Sequence, residues 1–281
     1  MTAIRNNSVD GVDPPGVSAS RPLSARSLIA SLLLGMDSPR RSGADLVRWC
    51  GLFGVPAGTA RVALSRMVDA GELQATDGHY ELVGRVRARS GEHDVARHPE
   101  MQSDWDGQWV IAVVTADGRS SEARGALRHE LRLARYAEQR EGVWTRPDNL
   151  VEAVEALGAV EARFGEREQQ CRIWRGRPDG DPVELAEALF AVSEWQAQAV
   201  ALDEWLRRAT GLLRGGGTGA AIADAFLAGT RALAHLRADP LLPAALLPAA
   251  RAGDALRRDY DEFQPRFDFA VAAWFRSARR S

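Results

Sequence analysis

Apolar residues recur at helical spacing in three successive segments near the start of the chain, and short runs rich in glycine, proline and charge separate them. These segments predict helices over residues 24–34, 43–53 and 56–70. The sequence LQATDGHYELV follows. Its adjacent Asp77 and Gly78 predict a β-hairpin, because both positions of such a turn need positive φ. Three helices followed by a hairpin predict a winged helix-turn-helix domain over residues 21–90.

The pattern changes at Trp105, after a charged and irregular linker over residues 91–104. The run QWVIAVVT is compact, apolar and β-branched, which predicts a strand, and residues 120–136 have the spacing of a helix. Further strands are predicted at EGVWT and CRIW, with a helix over residues 149–157 between them. The order β-α-β-β-α-β predicts a ferredoxin-like domain over residues 105–180.

Beyond Pro182 the apolar residues repeat every three or four positions and the strand pattern stops. Breaks at RGGGTG, ADPLLP and LLPAA divide this part into about five helices, so we expect an all-helical domain over residues 181–281. Residues 1–20 are small, polar and proline-bearing, and we expect a disordered tail because they bury too little apolar surface. The fold class predicted for the whole chain is α+β.

Charge is unevenly distributed along the 281 residues. The formal net charge is −2, yet residues 21–90 contain ten arginines and six acidic residues, about +4, which leaves the remainder near −6. Every basic residue is an arginine, a bias that a GC-rich genome produces without any selection for chemistry. The positive excess is therefore local to the predicted winged helix domain.

Two features of the composition indicate the compartment. No segment reaches the roughly 20 apolar residues that span a bilayer, and the start of the chain lacks the core of a signal peptide. Cys50 and Cys171 lie far apart in regular segments, which is typical of buried thiols in a reducing compartment. We therefore expect a cytoplasmic protein with no membrane contact and no disulfide.

The third predicted helix has two distinct faces. Small and apolar residues on one side are able to close over the two preceding helices. The opposite side presents groups that read a major groove, since arginine pairs with guanine, a small apolar group touches a thymine methyl and a hydroxyl bonds a phosphate. The DNA-binding residues predicted on this side are Thr59, Arg61, Val62, Ser65 and Arg66.

The predicted hairpin adds further candidates for DNA contact. His79 and Tyr80 lie at its tip and Arg85 follows it, within reach of a minor groove or a phosphate. Both assignments have a structural alternative, in which an amphipathic helix and a hairpin are simply solvated. The position of the helix, third of three and directly before the hairpin, together with the local positive charge, favours DNA binding.

Other motifs do not predict catalytic chemistry. GGGTG lacks the Gly-Lys-Ser/Thr ending of a phosphate loop, and no strand precedes it. His93 and His98 lie near acidic residues but have no convincing third and fourth ligand for a metal. There is no Gly-x-Ser-x-Gly motif. We therefore predict no enzyme, no cofactor and no metal site, while one or two of the eight tryptophans are candidates to line an aromatic effector pocket.

Five motifs occur in a defined order: RPLSARSLIASLLLGM, TARVALSRMVDAGEL, WDGQWVIAVV, RHELRLARYAEQREGVWTRPDNL and RADPLLPAALLP. With these motifs the chain resembles the PaaX-type family of transcriptional repressors of phenylacetate degradation, over most of residues 21–275. The resemblance implies a winged helix that binds double-stranded DNA, a ferredoxin-like middle domain similar to small CRISPR-associated nucleases, and a helical C-terminal domain for effector binding or dimerisation. It also implies a homodimer that an aryl-CoA thioester such as phenylacetyl-CoA releases from its operator.

One segment departs from the family pattern. VVTADGRSS stands where the family commonly has an acidic YDVPE-like end to the first middle strand, so Asp117 is shifted. This lowers the expectation of nuclease chemistry, which needs paired carboxylates on a metal. Two alternatives stay open beside the repressor: a metal-dependent nuclease built on the middle domain, and a regulator that senses a different small molecule or a protein partner. The sequence does not identify the effector-binding residues.

Overall fold

The computed structural model describes residues 23–35, 40–83, 97–99, 104–115, 121–150, 171–214 and 217–278. Within these residues the chain combines helices with two small antiparallel sheets, so the predicted α+β class is confirmed. The predicted tail over 1–20 and most of the predicted helix over 149–157 lie outside the described residues.

The helices and strands are numbered in chain order. The helices are α1 (Ala25–Gly35), α2 (Gly43–Gly51), α3 (Ala57–Asp69), α4 (Ser121–Leu133), α5 (Pro182–Phe190), α6 (Val192–Leu212), α7 (Gly219–Arg237) and α8 (Ala252–Ala278), with a 3-10 helix over Ala244–Leu246. The strands are β1 (Arg41–Ser42), β2 (Leu73–Thr76), β3 (His79–Leu82), β4 (Trp109–Val114), β5 (Ala137–Arg140), β6 (Val143–Pro147) and β7 (Cys171–Gly176).

The chain divides into two compact units. The first unit comprises residues 1–98, 198–237 and 253–281, and the second comprises residues 99–197 and 238–252. The helices after Pro182 are therefore shared between the two units, and the predicted boundaries of three independent domains remain a prediction.

In the first unit, α1, α2 and α3 form a compact group next to the small sheet β1-β3-β2. The Ser42 hydroxyl accepts a hydrogen bond from the Asp45 backbone N–H at 3.1 Å, which caps the start of α2. Asp77 and Gly78 connect β2 to β3 with φ values of 51° and 71°. The predicted hairpin is thus confirmed, with both turn residues left-handed as the Asp-Gly pair requires.

The C-terminal helices of the first unit pack through aromatic rings. Phe226 of α7 lies against Phe267 of α8 with ring centroids 6.3 Å apart, and Phe263 stacks on Phe267 at 5.3 Å. Gly229 of α7 is required for this approach, because a Cβ built there would lie 2.6 Å from Cε1 of Phe263. The small-residue run in α7 therefore allows two helices to come close together.

The second unit is built on a four-stranded antiparallel sheet in the order β5-β6-β4-β7. Val113 of β4 pairs with Val143 on one side and with Arg172 on the other, which sets the register. One face packs against α4 in a buried core that includes Val110, Ala112, Leu127, Leu131, Tyr136 and Trp144. On the other face Trp109 packs with α5 and the segment that contains the 3-10 helix. The strands predicted at QWVIAVVT, EGVWT and CRIW are all present.

The predicted helix over 120–136 is shorter in the structure. Helix α4 ends at Leu133, Arg135 takes a left-handed φ of 66°, and the chain then enters β5. The sequence pattern did not reveal β5, because AEQR is polar and lies at the edge of its sheet, where it pairs with a single strand, β6.

A buried polar network joins two of the sequence motifs within the second unit. Arg146, from TRPDNL, is 1% exposed and donates to the Ala134 carbonyl at 3.0 Å and to Asn149 Oδ1 at 2.8 Å. Asn149 is fully buried and donates to the Leu241 carbonyl, from ADPLLP, at 2.8 Å. Burial lowers the pKa of Arg146 to about 10, so the guanidinium remains charged at neutral pH. The network fastens the segment after α7 to the sheet.

Candidate nucleic-acid interface

Helix α3 is held by the two helices that precede it. It starts after Pro56, whose carbonyl accepts the Ala60 N–H at 3.0 Å. Ala60, Leu64 and Met67 are 0%, 3% and 2% exposed and form its inner face. Their spacing of three and four residues places them on one side of the helix, which is why the opposite side is left free.

The outer face of α3 carries the residues that the sequence predicts for DNA contact. All five are exposed: Thr59, Arg61, Val62, Ser65 and Arg66. Val62, an apolar residue, is 52% exposed among them.

The two arginines of α3 flank this outer face. They lie about 140° apart around the helix axis, with Val62 and Ser65 between them. Within the part of the chain that the structure describes, the side chains of Arg61 and Arg66 form no ion pair and no hydrogen bond. Their guanidinium donors are therefore available to an external partner.

The hairpin residues have different environments. His79 is exposed at the tip, where its Nδ1 lies 3.0 Å from the Asp77 carbonyl oxygen. Tyr80 is half-buried, and a Cβ built at Gly43 would lie 3.0 Å from its ring, so Tyr80 packs against the start of α2. Arg85 lies outside the described residues.

Sequence reasoning missed one cation beside the hairpin. Arg40 is exposed and donates to the Thr76 carbonyl at 3.2 Å, so its guanidinium is held next to the end of β2. This residue belongs to the run PRRSG, whose proline and glycine predict only a break before α2. Only the pairing of β1 with β3 brings this run to the hairpin.

The sheet of the second unit contains three of the tryptophans considered for an effector pocket. Trp109 and Trp144 are 1% and 2% exposed and belong to the cores on opposite faces of the sheet. Trp174 on the edge strand β7 is 59% exposed. Core packing therefore accounts for the first two and not for the third.

Other candidate chemistry is sparse in the described residues. No group of three or more metal-ligating side chains occurs among them, and none of their helices is long and apolar enough to cross a membrane. Asp117 and His93 lie outside the described residues. Cys50 and Cys171 are buried free thiols, as predicted, and burial raises the pKa of Cys50 to about 11, so this thiol stays protonated at neutral pH.

Two family models match the chain. Residues 24–86, which hold α1 to β3, match the PaaX-like protein model, and residues 102–163 match the model of the PaaX central Cas2-like domain. The chain is also similar to an uncharacterized protein, Rv0674, from Mycobacterium tuberculosis, at 33% identity and a TM-score of 0.65, covering 89% of this chain and 98% of that one. No curated protein matches the sequence.

These matches define the class as a family of transcriptional regulators. The chain belongs to the PaaX-like family. The resemblance inferred from the five sequence motifs is thereby confirmed.

Proposed function

We propose that the protein is a sequence-specific transcriptional repressor that reads double-stranded DNA with a winged helix-turn-helix. In this proposal α1 to α3 are the helices of the module, the β2-β3 hairpin is the wing, and α3 enters the major groove. The observation that carries it is the exposed outer face of α3, with two arginines that have no partner among the described residues.

Each group on that face has a defined chemical role in the proposal. Arg61 and Arg66 each donate two hydrogen bonds to a guanine, one to O6 and one to N7. Val62 lies between them on the helix and contacts a thymine methyl. Thr59 and Ser65 bond phosphates, with Thr59 helped by the positive end of the α3 dipole. At the wing, His79 and Arg40 contact the backbone or the minor groove.

Family membership supports the rest of the proposal. The second unit is a ferredoxin-like domain, for which the strand order β5-β6-β4-β7 and the match to a Cas2-like domain model are the support. Two copies of the chain bind half-sites of a palindrome about one helical turn, roughly 35 Å, apart. An aryl-CoA thioester such as phenylacetyl-CoA binds more tightly to a dimer geometry in which the two α3 helices do not match the half-sites, so it releases the protein from DNA. The regulated genes belong to phenylacetate catabolism.

The DNA-binding proposal is tested with the full-length protein and a duplex selected by it from a random-sequence library. Arg61→Ala and Arg66→Ala are each expected to weaken binding by about 5- to 150-fold, since each good bidentate contact to a base contributes about 1–3 kcal/mol. Arg208→Ala, which removes the same charge from an exposed position of α6, is the control and is expected to bind normally. Unchanged binding by both α3 variants would rule out the assigned face.

The effector is tested separately. Phenylacetyl-CoA is expected to raise the melting temperature of the free protein and to dissociate the selected complex, whereas free CoA and phenylacetate do neither. A protein that binds its duplex but ignores aryl-CoA thioesters remains a repressor, with a different signal.

A further inference from the structure

The core of the N-terminal helices is continuous with that of the C-terminal helices in the first unit. Trp49 of α2 is fully buried and donates its indole N–H to the Leu28 carbonyl at 3.2 Å. Its ring then contacts Phe226 of α7 at 5.0 Å between centroids, and Trp274 and Phe275 of α8 at 6.5 Å each. Among the described residues, three of the four aromatic rings that contact Trp49 thus belong to residues about 180 to 225 positions away, so α1 to α3 do not close a core by themselves.

A single arginine makes the most specific of these contacts. The Arg48 guanidinium lies 3.7 Å from the centroid of the Trp274 ring, and its Nη1 donates to the Trp274 carbonyl at 2.9 Å. Stacking and hydrogen bonding by one planar cation fix both its position and its orientation. The carbonyl lies close to the C-terminal end of α8, where the helix dipole also favours a cation.

One more contact joins α8 to α1, and another joins it to the residues that follow the hairpin. Gln264 donates to the Gly35 carbonyl at the end of α1, at 2.9 Å. Arg97, which follows the hairpin in sequence, donates to Asp261 at 2.6 Å. From Asp261 to Trp274 the contacts extend along about 20 Å of α8. Gln264 and Trp274 thus fasten α8 to α1 and α2 at two points about 15 Å apart along the helix, which resists rotation as well as translation.

Helix α3 itself packs on α1 and α2, and its outer face remains free. The two helices that support α3 are therefore the ones fixed to α8. We infer that α8 positions α3 for DNA, with Arg48 and Trp274 as positioning residues that do not touch the duplex. This inference rests on the proposed function. It adds that α8 belongs to the group of helices that presents α3 to DNA.

The energetic reason is the short range of base contacts. A bidentate arginine contact tolerates little displacement, because hydrogen bonds weaken steeply as their angles bend. Phosphate contacts and overall charge attraction depend much less on orientation. A loosened α2 is therefore expected to lose discrimination between duplexes before it loses general affinity for DNA.

The test measures affinity for two duplexes, the one selected by the wild-type protein and a scrambled duplex of the same length, across a series of salt concentrations. Trp274→Ala, which leaves the charge unchanged, and Arg48→Ala are expected to bind the selected duplex about tenfold more weakly and the scrambled duplex as the wild type does. Trp274→Phe keeps an aromatic face and is expected to restore most of the affinity. All measurements are made at a temperature where circular dichroism shows each variant to be folded, and Gln264→Ala supplies a milder perturbation should Trp274→Ala not fold.

The salt dependence separates positioning from direct contact. If Arg48 bound a phosphate, its removal would lower the slope of log affinity against log salt by about one, whereas a positioning residue leaves the slope unchanged. A folded Arg48→Ala variant with wild-type affinity for the selected duplex, or with a reduced slope, overturns the inference. Failure of the proposed function looks different, because Arg61→Ala would then also bind normally or the wild type would select no duplex.

Discussion

A pair of carboxylates between α6 and α8 makes the stability of the first unit depend on pH. Asp203 is 7% exposed, and its Oδ1 is buried without a hydrogen-bond partner. Arg207 contacts Oδ2 of Asp203 at 3.1 Å and Oδ2 of Asp259 at 3.5 Å, while Arg258 contacts the other oxygen of Asp259 at 3.1 Å. Burial first, and then the carboxylate of Asp259, raise the pKa of Asp203 to about 6, against the opposing effect of the two arginines.

The sign of the effect follows from proton linkage. Between the unfolded pKa of 3.8 and the folded value of about 6, the folded state binds the proton more tightly. Stability from this group is therefore complete below pH 3.8 and is lost as pH rises through 6. A difference of about two pKa units corresponds to at most about 3 kcal/mol.

Asp203→Asn removes the charge and supplies an N–H donor toward Asp259. At pH 8 the variant is expected to unfold at a higher urea concentration than the wild type, with a free energy of unfolding greater by about 1–3 kcal/mol. At pH 4.5 the two proteins are expected to differ little. Asp69→Asn, at an exposed position of α3, is the matched control and is expected to change stability at neither pH. A loss of stability by Asp203→Asn at pH 8 would refute the reasoning, because it would assign the ionised Asp203 carboxylate a favourable role.

Two further predictions concern packing and buried hydrogen bonds. Gly229→Ala places a Cβ 2.6 Å from the Phe263 ring and is expected to lower the free energy of unfolding by about 1–3 kcal/mol. The double variant with Phe263→Leu is expected to recover part of this loss. Thermal unfolding measures the stability of both variants. Asn149→Ala leaves an Arg146 donor and the Leu241 carbonyl unpaired in the interior, with an expected loss of about 2–4 kcal/mol in urea unfolding. Asn149→Asp, which keeps the acceptor for Arg146, is expected to lose less, and a variant series with equal losses would contradict the role given to that bond.

Local patterns predicted much of this molecule correctly. The apolar spacing in α1, α2 and α3 and the Asp-Gly turn depend only on neighbouring residues, since 3.6-residue and two-residue periods are set by backbone geometry. The exposed outer face of α3 followed from the same geometry, because the apolar spacing determines which side is buried. The sequence pattern did not predict the edge strand β5 or the early end of α4, because a polar strand at a sheet edge has no strong pattern of its own.

What the sequence alone determined is the order of elements, the likeness to the PaaX-like family and the chemical groups offered on α3. Tertiary structure decided which distant segments meet. Arg48 and Trp274 are 226 positions apart, and Asn149 and Leu241 are 92 apart, so no local period relates them. Such contacts form only when several elements have closed a common core, because stacking and hydrogen bonds act over a few ångströms whatever the separation along the chain.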